Sequence, residues 1–261
     1  MRFEDLLKFK GREPKISASL ISSYYNCPRA FKLIEVDGFI AKEGPALALG
    51  NMWDEMFKAF HRGEDPYNKI KTELDKFGRK KYYDDTPTAL QLEHLGQCRI
   101  WMEEYKKHPL SLNNPKFDVG FGIPLVHPHS GEQLKYLVSG YMDGLDDRGR
   151  RKFKGIEVKT TTKPYIQNQV DNAIQATIYI YYMFVEHKEM FPLEYVVFNK
   201  KVKTATKDKK IIERFTTTRN PVDFIDLFET LKQFIEDVEA DKFDANPDHP
   251  FWCSCRPGKL A

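Results

Sequence analysis

The hydrophobic pattern of the chain changes period at about residue 117, and this change limits the fold more than any other feature. After that point three segments, VGFGIPLV, LKYLVSGYMDGL and KFKGIEVKT, are rich in β-branched and aromatic residues and are separated by turn formers. Such segments are typical of β-strands. The sequence DDRGR between the last two favours a hairpin turn. The three segments are therefore predicted to form an antiparallel meander.

Helical patterns precede the meander. Ser17 or Ser19 can cap a first helix that runs through Tyr25. The segment LALGNMWDEMFKAFH carries apolar residues near a 3.6-residue period, which is typical of an amphipathic helix. Two further helices are expected at about 66–81 and 88–107. This half of the chain therefore predicts a helical cap or arch.

A helix and two strands follow the meander. The helix, over about Gln167–His187, has an apolar stripe along one side. Strands LEYVVFNK and IIERFTTT come next, and a helix at about 221–240 ends the pattern. With 261 residues, the chain is long enough for one ample core and short for two independent domains. We predict one domain with a helical arch over 1–115, an α/β core over 116–240 and an irregular cysteine-containing tail over 241–261.

The charge balance is nearly even, with 41 basic and 38 acidic residues and a net charge of +3. Any surface that binds a polyanion must therefore be local. No run approaches the ~20 apolar residues of a membrane span, and the opening MRFEDLLKFKGREPK is too polar for a secretory signal. These features predict a cytoplasmic protein without membrane contact.

Two carboxylates and a lysine stand on neighbouring strands of the meander. Side chains alternate along a strand, so Glu157 and Lys159 share one side while Ile156 and Val158 share the other. The hairpin can bring Asp143 close to Glu157. Such oxygen ligands bind Mg²⁺ or Mn²⁺, which can activate water and polarise a phosphate, and Lys159 would stabilise the charge that builds there. Taken alone, the same residues also fit a solvated strand face with Asp143 at the start of a turn.

The wider pattern resembles the RecB-like branch of the PD-(D/E)xK nucleases. The shared pattern is a G-x-x-D strand end, a hairpin, an E-x-K-T strand and a Q-x-x-x-Y helix, here Gly140, Asp143, Glu157, Lys159, Thr160, Gln175 and Tyr179. Residues four apart share a helix face, so Gln175 and Tyr179 can both point at the site. The resemblance implies that they hydrogen-bond Glu157 or Lys159 and contact the DNA backbone. The alternative is one ordinary polar residue and one partly buried tyrosine.

The resemblance also implies a fold and a cofactor. The fold is α/β, a restriction-endonuclease-like core with a central mixed sheet of about four or five strands flanked by helices, plus the N-terminal arch. The cofactor is Mg²⁺ or Mn²⁺, held by Asp143, Glu157 and the backbone carbonyl of Val158. A further ligand comes from a Gly-x-x-x-His helix in the family, and the aligned residue here is Asp54, a departure from the pattern. Asp54 fits a ligand and a solvated residue about equally well, and Glu55 is the alternative ligand.

Cysteines extend the resemblance. The segment Ser19–Phe31 is similar to the opening helix of the family, which ends in Cys-Pro-(Arg/Lys)-x-Phe, and some relatives use this cysteine with three C-terminal ones to hold an iron-sulfur cluster. This chain has Cys27 and a tail with Cys253 and Cys255, while Cys98 lies in a predicted helix. A cluster needs four thiolates in most cases. A cluster or zinc site that uses all four stays an alternative, and a relic motif is favoured.

Basic residues crowd two loops. Arg148, Arg150, Arg151 and Lys152 surround the hairpin turn, and we expect them to contact DNA phosphates without reading sequence. A second, lysine-rich loop over about 200–210 is left open between DNA contact and a solvated hairpin tip.

The resemblance implies a DNA nuclease dependent on Mg²⁺ or Mn²⁺. We expect an exonuclease or end-processing enzyme for single- or double-stranded DNA, such as a phage or mobile-element recombination enzyme, with a recombination or replication protein as a candidate partner. One alternative is a catalytically silent DNA-binding module of the same fold. Another is a sequence-specific endonuclease, which should carry a recognition element that the sequence does not show.

Overall fold

The computed structural model describes Phe3, Asp5 and residues 15–39, 45–68, 88–206 and 209–246. The strands are β1 (Lys15–Ser17), β2 (Pro115–Ile123), β3 (Leu137–Asp147), β4 (Phe153–Thr161), β5 (Leu193–Asn199) and β6 (Ile212–Thr217). The helices are α1 (Ala18–Asn26), α2 (Pro28–Phe31), α3 (Pro45–His61), α4 (Thr88–Lys107), α5 (Gln167–Asp171), α6 (Ile174–His187) and α7 (Pro221–Glu239), with a π-helical turn at Lys32–Val36. Most of the helix predicted at about 66–81 lies outside the described residues.

β3 is the centre of a six-stranded mixed sheet. β2 runs antiparallel along one edge of β3, where its residues pair with Val138–Asp146. The other edge is shared, because β1 pairs in parallel with Leu137–Ser139 and β4 pairs antiparallel with Gly144–Asp147. β5 lies parallel to β4, and β6 antiparallel to β5. The predicted meander and mixed sheet are confirmed, and the sheet gains β1, whose three residues are too few to show an alternating pattern.

Helices cover both faces of the sheet, as predicted. On one face α1, α6 and α7 contribute to a large apolar core, which we call the α6-side core. On the other face α3 and α4 pack on β4 and β5 in a second core, the α3-side core. There the rings of Trp53 and Trp101 lie 4.5 and 5.8 Å from the ring of Phe198. Two helices of the predicted arch therefore form a layer directly on the sheet.

Polar side chains fix the helix ends. Of the two predicted caps, Ser17 begins α1, because its hydroxyl accepts from the Leu20 amide at 3.2 Å. Asn220 begins α7 by accepting from the Val222 amide at 2.8 Å. Each bond satisfies an amide that has no partner inside its helix. None of the helices in the described ranges is long and apolar enough to cross a membrane.

Candidate active site

The candidate site lies where β3 and β4 part. β2 occupies one edge of β3, and on the other edge the stretch Gly140–Asp143 falls between the pairings with β1 and β4. Instead of a strand partner, Asp143 accepts a hydrogen bond from the Val158 amide through its carboxylate, at 2.7 Å. Since the N–H and C=O of a strand residue point to the same edge, the Val158 carbonyl also faces this gap. The gap thus brings the two strands' polar groups together.

The regular backbone conformation of β2 is interrupted beside this gap. Asp118 has a φ of +55°, a left-handed conformation that is uncommon outside glycine. Its neighbours Phe117 and Val119 pack in opposite layers, in the α3-side and the α6-side core respectively. In a regular strand two residues separated by one would share a face. The alternation of β2 therefore breaks at Asp118.

β3 breaks its alternation at the same level. Met142 and Leu145 both pack in the α6-side core, although residues three apart on a regular strand face opposite ways. Asp143 lies between them, and the register of β2 and β3 places it opposite Asp118. The carboxylate of Asp143 therefore sits at a junction between the two faces of the sheet.

Three acidic side chains influence one another at this junction. Glu157 is 2% exposed and forms an ion pair with Lys159, and burial raises the pKa of Glu157. Burial and then the charge of Glu157 raise the pKa of Asp143 to about 7. Burial and then the charge of Asp143 raise the pKa of Asp54, on α3, to about 6. Each carboxylate makes ionisation of its neighbour more costly, so the site favours a bound cation.

The free oxygens of these residues suit a divalent ion. Oδ1 of Asp54 and Oε2 of Glu157 are buried and have no hydrogen-bond partner. Such atoms are costly unless an ion or a ligand binds them. Oxygen donors with surplus negative charge are those that Mg²⁺ and Mn²⁺ prefer. Within the described ranges no three acidic, histidine or cysteine side chains converge closely enough to hold an ion.

A buried lysine beside these carboxylates was not predicted. Lys58 is 2% exposed, and its ammonium donates to Asp54 Oδ2 at 2.5 Å and to Asp118 Oδ1. The four-residue spacing of Asp54 and Lys58 on one helix is a signal that could have suggested their pairing. The position of Asp118 depends on its backbone reversal, which the sequence does not display. On α3, Asp54 rather than Glu55 carries the interactions with Lys58 and Asp143.

Gln175 and Tyr179 have hydrogen-bond partners other than those predicted, while their contact with DNA stays a prediction. Gln175 Nε2 donates to the Tyr179 hydroxyl at 2.8 Å, and that hydroxyl donates to the Tyr141 carbonyl at 2.5 Å. Within the described part of the chain neither side chain hydrogen-bonds Glu157 or Lys159, which corrects that expectation. Instead, the Tyr179 hydroxyl donates to the Tyr141 carbonyl, which lies in the stretch of β3 between its pairings with β1 and β4. The pair on α6 braces the strand that carries the candidate site.

Gly140 makes this brace fit. A Cβ at Gly140 would lie 2.9 Å from Cζ of Phe121 and 3.1 Å from Cε1 of Tyr179. Both distances are shorter than ordinary carbon contacts. The glycine of the G-x-x-D pattern and the tyrosine of the helix motif are therefore coupled by packing, a relationship that neither motif reveals alone.

The predicted DNA-backbone residues lie at the far end of the hairpin. Arg148 is five residues after Asp143, or about 17 Å along a strand at ~3.3 Å per residue. It pairs with the fully buried Asp146 at 3.2 Å. Arg150 and Arg151 have positive φ values within the turn. Arg148, Arg150, Arg151 and Lys152 are thus separate from the carboxylates, and their contact with DNA stays a prediction.

The cysteines do not assemble in the described residues. Cys27 is buried beside Ala30 where α1 meets α2, whereas Cys98 is buried in the α3-side core. Burial raises the pKa of Cys98 to about 12, which disfavours the thiolate that a metal requires. Cys98 therefore fits a core residue better than a ligand. Cys253 and Cys255 lie outside the described residues.

Comparisons with known proteins show the fold and the family of this chain. A protein from Eubacterium rectale described as a "putative exonuclease" is 12% identical, with 89% of this chain and 84% of that chain covered and a TM-score of 0.54, which shows a shared fold. A protein described as SSO0001 is 15% identical over 98% of this chain and 94% of that chain, with a TM-score of only 0.40. No curated protein gives a significant match. A family model for the PD-(D/E)XK nuclease superfamily matches residues 15–257. With nearly all of its length covered by that match, the chain belongs to the PD-(D/E)XK nuclease superfamily.

Proposed function

We propose that the chain hydrolyses DNA phosphodiester bonds with the help of a divalent cation, Mg²⁺ or Mn²⁺. PD-(D/E)XK nucleases generally use divalent metals. The ion would be held by Asp143, Glu157 and the Val158 carbonyl, with Asp54 as a further ligand. The observation that carries the proposal is Glu157, a carboxylate 2% exposed whose second oxygen is buried without a partner beside the gap in the sheet.

The bound ion would supply a water of lowered pKa and positive charge at the phosphate. The chain's own residues supply the rest. Lys159 would place its ammonium beside the phosphate and stabilise the negative charge that builds during attack by water. Glu157 holds Lys159 in place through their ion pair. The brace from Tyr179 to the Tyr141 carbonyl keeps β3, and with it Asp143, in register.

We propose DNA ends as the substrate and exonucleolytic removal of nucleotides as the reaction, in the cytoplasm. The RecB-like order of motifs supports this choice. The test is cleavage of end-labelled single- and double-stranded DNA, linear and circular, with Mg²⁺, Mn²⁺ or EDTA. Metal-dependent loss of linear DNA with circles spared would support the proposal, whereas nicking of circles would replace it with endonuclease action.

A catalytically silent DNA-binding module is the second candidate, because one carboxylate oxygen of Asp54 accepts a hydrogen bond from the Lys58 ammonium, which leaves only the other oxygen for a metal. In that case no DNA would be cut with either metal, while metal-independent binding of DNA would persist. Calorimetric titration with Mn²⁺ separates the two candidates. A nuclease should bind Mn²⁺ and lose that binding in Glu157→Gln, whereas the silent module should show no Mn²⁺ binding that depends on Glu157.

A further inference from the structure

Among the described residues, one part of the sheet contributes no apolar side chain to the α3-side core. Along β1, β2 and β3 the residues that face the α6-side core include Ile16, Phe121 and Val138. Their sequence neighbours face the other way. On that side the α3-side core includes Phe117 of β2 and residues of β4, β5 and β6, but neither Leu137 nor Tyr141. The residues on this face are Lys15, Gly120, Gly122, Leu137, Ser139 and Tyr141.

Tyr141 lies against β2 on this face. It is 74% exposed, the highest exposure among the large apolar side chains of the described residues. It pairs across the strands with Gly120, and a Cβ at Gly120 would lie 2.7 Å from Cε1 of Tyr141, 3.2 Å from Cδ1 and 3.4 Å from Cζ. The ring therefore rests on the glycine backbone. The ring contacts β2 at Gly120, and most of it is turned to solvent.

The position of this ring links it to the candidate active site. Tyr141 precedes Asp143 by two residues, or about 7 Å along the strand. Its backbone carbonyl is fixed by the Tyr179 hydroxyl, so the ring stands on a braced segment. At the other end of the same face, the side chain of Lys15 lies along Gly122, 3.8 Å from the position of a Cβ there. An exposed aromatic ring and a positive charge thus lie on the same face of the sheet, beside the strand that carries Asp143.

We infer that Tyr141, supported by Gly120, is a stacking platform for an unpaired nucleobase of the DNA strand that enters the site. The inference rests on the proposed function and names its substrate class, a single-stranded end. Aromatic side chains bind single strands by stacking on the bases without reading sequence. Bases inside a duplex are already stacked on their neighbours, so the platform favours a single-stranded or frayed end. Lys15 would attract a phosphate of the same strand.

The test compares a short oligothymidylate with an abasic strand of equal length, because the two differ only in their bases. Binding is measured in EDTA by fluorescence anisotropy, which needs no cleavage. We expect Tyr141→Ala to weaken binding of the oligothymidylate by roughly 10-fold, and at least about fivefold, with little change for the abasic strand. Tyr141→Phe should restore tight binding, since it keeps the ring. Tyr25→Ala, which removes an exposed tyrosine from α1, is the matched control.

Gly120→Ala tests the same idea without touching Tyr141. Its methyl group would displace the ring, so oligothymidylate binding should weaken while the abasic strand binds as before. Equal binding of both strands by the wild-type protein, or an equal loss for both strands in Tyr141→Ala, would overturn the inference. Failure of the proposed function looks different, because base-dependent binding would persist although no DNA is cut with Mg²⁺ or Mn²⁺.

Discussion

The hydroxyl of Tyr179 donates a hydrogen bond to the backbone carbonyl of Tyr141 at 2.5 Å, across the gap where β3 has no strand partner on that edge. This bond ties α6 to the strand that carries Asp143. A helix side chain therefore replaces a ladder bond at the place where the sheet opens for chemistry.

Tyr179→Phe should remove this tie. We expect a loss of about 1–2 kcal/mol of folding free energy, because a buried carbonyl loses its donor. Cleavage should fall by about 10-fold, because small misplacements of reacting groups are costly. Denaturant unfolding and cleavage rates measure the two effects. Tyr181→Phe is the control, since its hydroxyl bonds the Val126 amide and the Pro124 carbonyl. It should cost similar stability and leave cleavage unchanged, and equal loss of cleavage in both variants would contradict the bracing role.

Gly140→Ala should destabilise the protein by about 1–3 kcal/mol, because its methyl group would press on Phe121 and Tyr179 in a filled core. Urea unfolding is the measurement. Replacing Phe121 with Leu in the same chain should recover part of the loss. Gly96→Ala is the matched control, because a Cβ at Gly96 in α4 meets nothing within 4 Å and alanine favours helix. If both alanine variants proved equally stable, the packing coupling would be wrong.

The metal-free protein should lose stability as the pH rises. The pKa values of Asp143, about 7, and Asp54, about 6, lie above the ordinary value of 3.8. A carboxyl with a raised pKa stabilises the fold most below the unfolded value, and the contribution is lost as the pH rises through the folded value. The loss should therefore occur between about pH 4 and pH 7, and Mn²⁺ should raise the melting temperature more at pH 8 than at pH 5.

His61 acts in the opposite direction, since burial lowers its pKa to about 4 and it destabilises the fold as the pH falls. Thermal melts of wild type and Asp143→Asn in EDTA, compared pH by pH, cancel this effect. The difference between the two curves should grow in favour of Asp143→Asn above pH 6. A constant difference from pH 4 to pH 8 would show that Asp143 titrates normally.

Lys58→Met should make the protein less stable and more avid for metal. Its ammonium compensates Asp54 and Asp118, and removing one member of a fully buried pair costs ~3–5 kcal/mol. Because Asp118 is 55% exposed, a loss of roughly 1–3 kcal/mol is expected. Loss of a nearby positive charge should tighten Mn²⁺ binding, measured by calorimetry. Lys106→Met, at an exposed ion pair with Glu103, is the control. Weaker Mn²⁺ binding in Lys58→Met would mean that Lys58 positions Asp54 for the ion.

Local patterns predicted the parts of the fold that depend on local sequence. The alternation from Ile156 to Lys159 predicts β4, and the DDRGR turn predicts its hairpin. Both signals depend only on adjacent residues, which set the hydrophobic period and the turn type. The amphipathic stripe of α3 predicts the helix, but it does not predict the sheet face on which Trp53 packs. That face depends on contacts with Phe198, which lies 145 residues later.

The geometry of the candidate site was less visible, because it depends on departures from regular structure. No sequence pattern marks the positive φ of Asp118, because this conformation depends on the residues that surround Asp118 in the fold. The bond from Tyr179 to the Tyr141 carbonyl depends on the place where β1 ends and β4 begins to pair with β3. The structure brings Asp143, Glu157 and Lys159 near one gap, and their roles stay a prediction. The hydrogen-bond partners of Gln175 and Tyr179 could be seen only in the structure.

Two lysines on β4 provide the most direct test of the central claim that Lys159 and Glu157 form a nuclease site. Lys159 pairs with Glu157 at the gap, whereas Lys154 pairs with Glu194 away from it, and both ion pairs are largely buried. The measurement is the initial rate of DNA cleavage with Mn²⁺ for Lys159→Ala and Lys154→Ala at equal folded concentration. We expect Lys159→Ala to lower the cleavage rate by at least about 100-fold and Lys154→Ala to cleave at a near wild-type rate. Equal rates for the two variants would contradict the central claim.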